Sequence, residues 1–95
     1  MGIGNTTTSS CLLRAVTGVS AEDLVGRGGG LNNEGLAKKL EIVRDSADAC
    51  KDKDTLGKLA AVGGFDICGM VGCFLGAARN KMPVVIDGFI SIVAA

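Results

Sequence analysis

Only one run in this 95-residue chain reads as a β-strand: Pro83-Val84-Val85-Ile86-Asp87. One strand cannot make a sheet. Its continuous apolar character also suits an inner parallel strand covered on both faces, not an edge. The other patterned stretches carry helical spacing. The expected class is therefore α/β, mostly helical, with one clear strand near 84–87. An interior-type strand without neighbours points to a piece of something larger, so residues 1–95 are expected to form a single partial domain.

The helices announce themselves by their ends. Gly2-Ile3-Gly4 leads into a helix over about residues 6–17, with Asn5 or Thr6 as its cap and Gly18 as its stop. Ser20 and Asp23 have the spacing of a short capping box, for a helix near 21–25. After Gly26-Arg27-Gly28-Gly29-Gly30, Asn32 or Asn33 caps a helix over about 33–49. Its apolar stripe is Leu36, Leu40, Val43, Ala47 and Cys50, and Lys38, Glu41, Arg44, Asp45 and Asp48 lie opposite. Asp54 caps a helix near 55–62 that stops at Gly63-Gly64. A longer helix from Phe65 to Asn80 has Ile67, Met70, Val71, Phe74, Leu75 and Ala78 on one side. Its Gly69, Gly72, Cys73 and Gly76 are small enough to let another element approach. Phe89 to Ala95 reads as the start of a further helix.

Composition removes several function classes. Lys plus Arg and Asp plus Glu are both 10, so no basic excess is available to neutralise a nucleic-acid backbone. The three aromatics are all Phe, which leaves no stacking platform for bases. Without His there is no Ser-His triad and no His-containing metal site, and none is expected. Cys11, Cys50, Cys68 and Cys73 match no metal or redox spacing and follow no signal peptide, so they read as reduced, mostly buried thiols of a cytoplasmic protein.

Three stretches have site character. Gly2-Ile3-Gly4-Asn5-Thr6 opens a helix, where curled backbone, hydroxyls and the positive end of the helix dipole together suit an anion; an ordinary capped turn explains it too. Gly26 to Gly30 leaves bare backbone near Lys38 and Lys39, and Arg27 or a lysine there suits phosphate. The alternative is a loop beside a solvated helix face. Asp87-Gly88 follows the apolar run, at the strand end where ligands gather in parallel sheets; Asp87 capping the next helix is the competing role. Asp66 reads as a first-turn acid facing its helix dipole.

Six motifs occur in order along the chain: Met1-Gly-Ile-Gly-Asn-Thr-Thr7, Val25-Gly-Arg-Gly28, Gly35-Leu-Ala-Lys-Lys39, Gly63-Gly-Phe-Asp-Ile67, Leu75-Gly-Ala-Ala-Arg79 and Pro83-Val-Val-Ile-Asp-Gly-Phe-Ile90. With them the sequence resembles the nicotinate-nucleotide–dimethylbenzimidazole phosphoribosyltransferase family. The resemblance implies a Rossmann-like parallel sheet, a partial nucleotide-binding domain and a homodimer, with no metal or organic cofactor. It implies transfer of phosphoribosyl from nicotinate mononucleotide to 5,6-dimethylbenzimidazole in cobalamin lower-ligand assembly. It further implies that a carboxylate base frees the benzimidazole nitrogen to attack the anomeric carbon with inversion. By position, Gly2, Gly4, Asn5 and Thr6 look like the wall beside phosphate and ribose. Gly28 and Lys39 look like phosphate contacts, and Gly88 like a ribose-side contact.

There are departures from the family pattern. Family members are several-fold longer, carry a Glu just before the position of Met1, and keep their catalytic base beyond the position of Ala95. Many have Thr where this chain has Gly29. An internal fragment without its catalytic base, inactive alone, is the expectation. Two alternatives stand beside it. One is a small helical membrane protein spanning Leu59 to Ala78, against which Asp66 and the Gly63-Gly64 break weigh. The other is a non-catalytic remnant that binds a full-length relative through exposed apolar edges.

Overall fold

The structure, a computed structural model, describes residues 3–95. Six helices follow one another: α1 (Asn5–Thr17), α2 (Ala21–Leu24), α3 (Asn33–Ala49), α4 (Thr55–Val62), α5 (Phe65–Arg79) and α6 (Phe89–Ala94). Helix α1 is the centre. It packs on α3 and α2 at one side and on α4 and α6 at the other, and α5 packs on α6.

Two successive residues of α1 show how it serves both sides. Cys11 belongs to a cluster with Ala21 and Val43, to which Val25, Leu40 and Val62 add their partly buried side chains. Leu12 belongs to a second cluster with Ile67 and Ala94, backed by Met70, Val71, Phe74 and Ile90. Val62 packs against both. Ser9 and Ser10 are fully buried beside them, and their small size keeps α1 close to its neighbours.

The capping residues act largely as the sequence implies. The Ser20 hydroxyl accepts from the Asp23 amide, Asn32 Oδ1 from Gly35 N at 2.8 Å, and Asp54 Oδ1 from Gly57 N at 2.7 Å. The Gly18 amide closes α1 by donating to Arg14 O at 2.8 Å. Helix α1 is the exception: Gly4, left-handed at φ 92°, is its cap, and neither Asn5 nor Thr6 fills that place. Glycine reaches that conformation at no steric cost. Asn5 is therefore already helical, and its side chain is free for another contact.

The α/β expectation is overturned. Among the described residues there is no strand and no sheet, so no Rossmann-like parallel sheet is present. Residues 83–88 run without regular structure, and no backbone hydrogen bond joins residues 84–87 to another segment. Val85 is 94% exposed. An apolar run suits a strand, but only a ladder of partners makes one, and none of the described residues pairs with it.

The face of α5 that carries Gly69, Gly72 and Gly76 is bare: a methyl group built on any of them would meet nothing within 4 Å. Among the described residues, no other element uses the close approach that these glycines permit. On the opposite side Ile67 is buried and Met70, Val71 and Phe74 are half-buried, while Leu75 and Ala78 are exposed. No helix among the described residues is long and apolar enough to cross a membrane. The proposed span from Leu59 to Ala78 is broken at Gly63-Gly64, and the 15 residues of α5 reach about 22 Å, against a bilayer core of about 30 Å.

The exposed surface is 6139 Å², against roughly 5,100 Å² for a compact chain of this mass. Phe65, Leu56, Leu75 and Met82 contribute to that surplus. All four cysteines are free. Cys11 and Cys50 are buried, Cys68 is half-buried and Cys73 exposed, so the expectation of mostly buried thiols holds for two of the four.

Candidate anion site at the start of helix α1

Lys39 lies three residues after Leu36 and four before Val43, within the apolar stripe of α3. That spacing turns it inward, and the residue is only 5% exposed. Its Nζ donates to Thr6 Oγ1 at 2.9 Å and to the Gly26 carbonyl at 3.1 Å. An ammonium has three N–H groups, so one is left over. No carboxylate pairs with Lys39 among the described residues. Burial pulls its pKa down from the ordinary 10.5, and a negative charge on Cys11 would act in the other direction. Burial likewise pushes the Cys11 thiol up, against an opposing hydrogen bond with Ser46. That thiol is therefore a poor nucleophile.

Three chain segments converge on this lysine. The start of α1 brings Thr6, the glycine-rich loop brings Gly26 and Gly28, and α3 brings Lys39 itself. They line a cavity of about 240 Å³ together with Ser10, Leu24 and Phe89. Ser10 Oγ donates to Thr6 O at 2.9 Å and to Leu24 O at 3.1 Å, which ties α1 to the end of α2. A second cleft of about 330 Å³ opens on the other side of Lys39, between Ile3-Gly4, Thr6-Thr7 and the Arg27 to Leu31 loop.

The loop fits closely around Thr6. Gly28 has φ 55°, and a Cβ there would lie 3.0 Å from Thr6 Oγ1 and 3.6 Å from Lys39 Nζ. Arg27 does not face the lysine. Its Nη1 donates to Leu31 O at 2.8 Å and its Nη2 to Asn33 Oδ1 at 2.6 Å, which braces the loop. Of the cations that the sequence offers here, Lys39 is the buried one, and Lys38 is exposed. The α1 cap provides no side-chain acceptor, so the first amides of α1 retain their partial positive charge.

The other expected site residues fall in different places. Gly4, Thr6, Gly28 and Lys39 come together in the second cleft. Asn5 lines a third cleft, of about 420 Å³, which shares Ile3 and Gly4 with the second. Gly2 lies outside the described residues. Gly88 lines none of these clefts, although the next residue, Phe89, forms part of the wall of the first. Asp87 does not cap α6: the cap position is Gly88, without a side-chain bond. Ser91 Oγ instead donates to the Asp87 and Gly88 carbonyls.

Ser10, Leu24 and Phe89 are wall residues that sequence reasoning did not select. Ser10, four residues after Thr6 on α1, is the one whose position carried a signal. Among the described residues that line the two clefts beside the lysine, none is a carboxylate or another general base. The arrangement suits binding of a small dianion, with the lysine, a hydroxyl and helix-start amides as donors.

A family model described as phosphoribosyltransferase matches residues 1–95. The nicotinate-nucleotide–dimethylbenzimidazole phosphoribosyltransferase of Acetivibrio thermocellus is 50% identical over 97 residues, covering 100% of this chain and 28% of the relative. That of Vibrio campbellii is 50% identical over 95 residues, covering 100% and 27%. Among solved structures, CobT from Thermus thermophilus superposes with a TM-score of 0.90 at 35% identity, over 99% of this chain and 28% of that one. The chain thus spans little more than a quarter of the length of the relatives it matches.

Proposed function

This chain belongs to the phosphoribosyltransferase family, and from that premise we propose that it forms the phosphate- and ribose-binding part of a phosphoribosyl transfer enzyme. The reaction is transfer of phosphoribosyl from nicotinate mononucleotide to 5,6-dimethylbenzimidazole, which yields α-ribazole 5′-phosphate and nicotinate in cobalamin lower-ligand assembly. The enzyme acts as a cytoplasmic homodimer. The relatives at 50% identity are named for these substrates. The single observation that carries the reading is Lys39, a buried ammonium with a spare donor and no carboxylate partner among the described residues. A buried charge without a counter-charge is costly, and a bound phosphate supplies that counter-charge. Thr6 and the Gly26 carbonyl hold the ammonium in place, and Gly28 leaves room for it. Gly4, Asn5 and Thr6 border the ribose.

The test is calorimetric titration of nicotinate mononucleotide into the chain and into Lys39→Met. The reading predicts at least about 10-fold weaker binding for Lys39→Met, since a charge-assisted hydrogen bond is worth about 1.5–3 kcal/mol. It also predicts unchanged or raised thermal stability for the variant, because an unpaired buried charge has been replaced by an apolar side chain of similar length. Equal affinity of the two proteins would contradict it. On this reading the catalytic carboxylate is supplied by the share of the relatives' length that this chain does not span, so the 95 residues alone should give no α-ribazole phosphate. Turnover would place the base within them.

A further inference from the structure

From the contact between α1 and α5 we infer that Asp66 is a positioning residue, which fixes the carboxamide of Asn5 so that its oxygen is presented to a ribose hydroxyl. Asn5 Nδ2 donates to Asp66 Oδ2 at 2.9 Å, a bond between residues 61 apart in sequence. A carboxylate only accepts hydrogen bonds, so the nitrogen end of the amide must face Asp66. The other end, Asn5 Oδ1, accepts no hydrogen bond among the described residues. It therefore remains to receive a hydroxyl proton from a ligand. Both residues line the third cleft with Thr8, Gly64 and Phe65, and this cleft meets the Lys39 cleft at Ile3 and Gly4. A ligand with its phosphate at Lys39 would extend its sugar toward Asn5 across that shared wall.

The surroundings of Asp66 are shaped for this contact. A Cβ at Gly64 would lie 2.6 Å from Asp66 Oδ1. Gly64 has an ordinary φ of −78°, so a methyl group there would strain nothing in the backbone and would act only by displacing the carboxylate. The Gly63-Gly64-Phe65-Asp66 motif thereby has a use beyond ending α4: it clears the place from which Asp66 reaches Asn5.

The sugar part of the inference rests on the proposed phosphoribosyl function, so the experiment separates the two. Ribose 5-phosphate and its 2-deoxy and 3-deoxy counterparts are titrated into the chain and into Asp66→Ala, Asp66→Asn, Gly64→Ala and Lys39→Met. The native chain should favour ribose 5-phosphate about 5- to 10-fold over at least one deoxy counterpart. Asp66→Ala and Gly64→Ala should lose that preference while binding the deoxy sugar phosphate as before. Asp66→Asn, whose side-chain oxygen still accepts from Asn5, should keep it. A preference that survives in Asp66→Ala overturns the inference. Affinity unchanged in Lys39→Met overturns the phosphoribosyl reading instead. The Asn5 side-chain amide, observed by NMR without any ligand, decides the contact itself. One of its two protons should be shifted downfield and protected from exchange in the native chain and in Asp66→Asn, but not in Asp66→Ala. Two ordinary amide protons in the native chain would overturn the positioning role, whatever the ligands do.

Discussion

One methyl group at Gly28 tests how closely the glycine-rich loop serves Lys39. The perturbation is Gly28→Ala, and it has two separable effects. The first is conformational. Gly28 sits at φ 55°, and an L-residue there costs about 1–2 kcal/mol. That loss falls on folding. For a domain of this size it lowers the melting temperature by roughly 5–15 °C. The second effect is local. The new Cβ would stand 3.0 Å from Thr6 Oγ1, inside the usual carbon–oxygen contact, and Thr6 Oγ1 is 2.9 Å from Lys39 Nζ. The hydroxyl must move by a few tenths of an ångström, and one of the two tethers of the ammonium is stretched or lost. Hydrogen bonds to charged groups are worth about 1.5–3 kcal/mol. Because the Gly26 carbonyl still holds Lys39, the lower end applies, which corresponds to about 10-fold weaker binding of nicotinate mononucleotide. The assay is calorimetric titration beside a thermal melt followed by circular dichroism. Gly29→Ala is the control, since Gly29 has an ordinary φ and open space around its Cβ. A melting temperature that falls while affinity holds would refute the link between the loop and Lys39. An equal response of Gly28→Ala and Gly29→Ala would refute the steric argument altogether.

Other expectations follow from the same geometry. Gly29→Thr should fold and bind as the native chain does or better, because the side chain enters empty space at the lip of the anion cleft; a melt and a titration check this. Ile67→Ala removes the largest fully buried side chain of the α1–α5–α6 cluster and should cost about 2–5 kcal/mol, read from urea unfolding. The Asn5 amide, ahead of nearby backbone amides, holds the Asp66 carboxyl below its ordinary 3.8, with partial desolvation opposing. A depressed carboxyl contributes stability that is present above its unfolded value and lost as pH falls through the folded one. Urea midpoints should therefore drop below about pH 4, and less so in Asp66→Ala.

Much of the helical frame was legible because it is written in local chemistry. Ser20 with Asp23, Asn32, Asp54 and Gly18 each mark an end through bonds made within a few residues. The run Val84-Val85-Ile86 misled because a strand is defined by its partners, and hydropathy says nothing about whether they are present. Lys39 carries a readable signal, since it lies on the same face as Leu36 and Val43. The exchange of Asn5 or Thr6 for Gly4 as the α1 cap was harder to foresee, because it depends on the left-handed turn that the chain takes there. The Asn5–Asp66 bond was out of reach: 61 residues separate its ends, and only the packing of α1, α4, α5 and α6 brings them together. The sequence marks Asp66 as a helix-start acid, and its position in the first turn of α5 also allows that role.

Lys39 is a buried cation with no carboxylate partner among the described residues, and on the proposed function a phosphate supplies its counter-charge. The most direct measurement is the titration of its side chain by NMR, with the 13Cε and Nζ signals followed over alkaline pH with and without ribose 5-phosphate. Without ligand, Lys39 should titrate below the ordinary 10.5, because burial disfavours its charged form. With ligand, the midpoint should rise, because the dianion restores the missing counter-charge. A midpoint that the ligand leaves unmoved would mean that phosphate does not bind at Lys39.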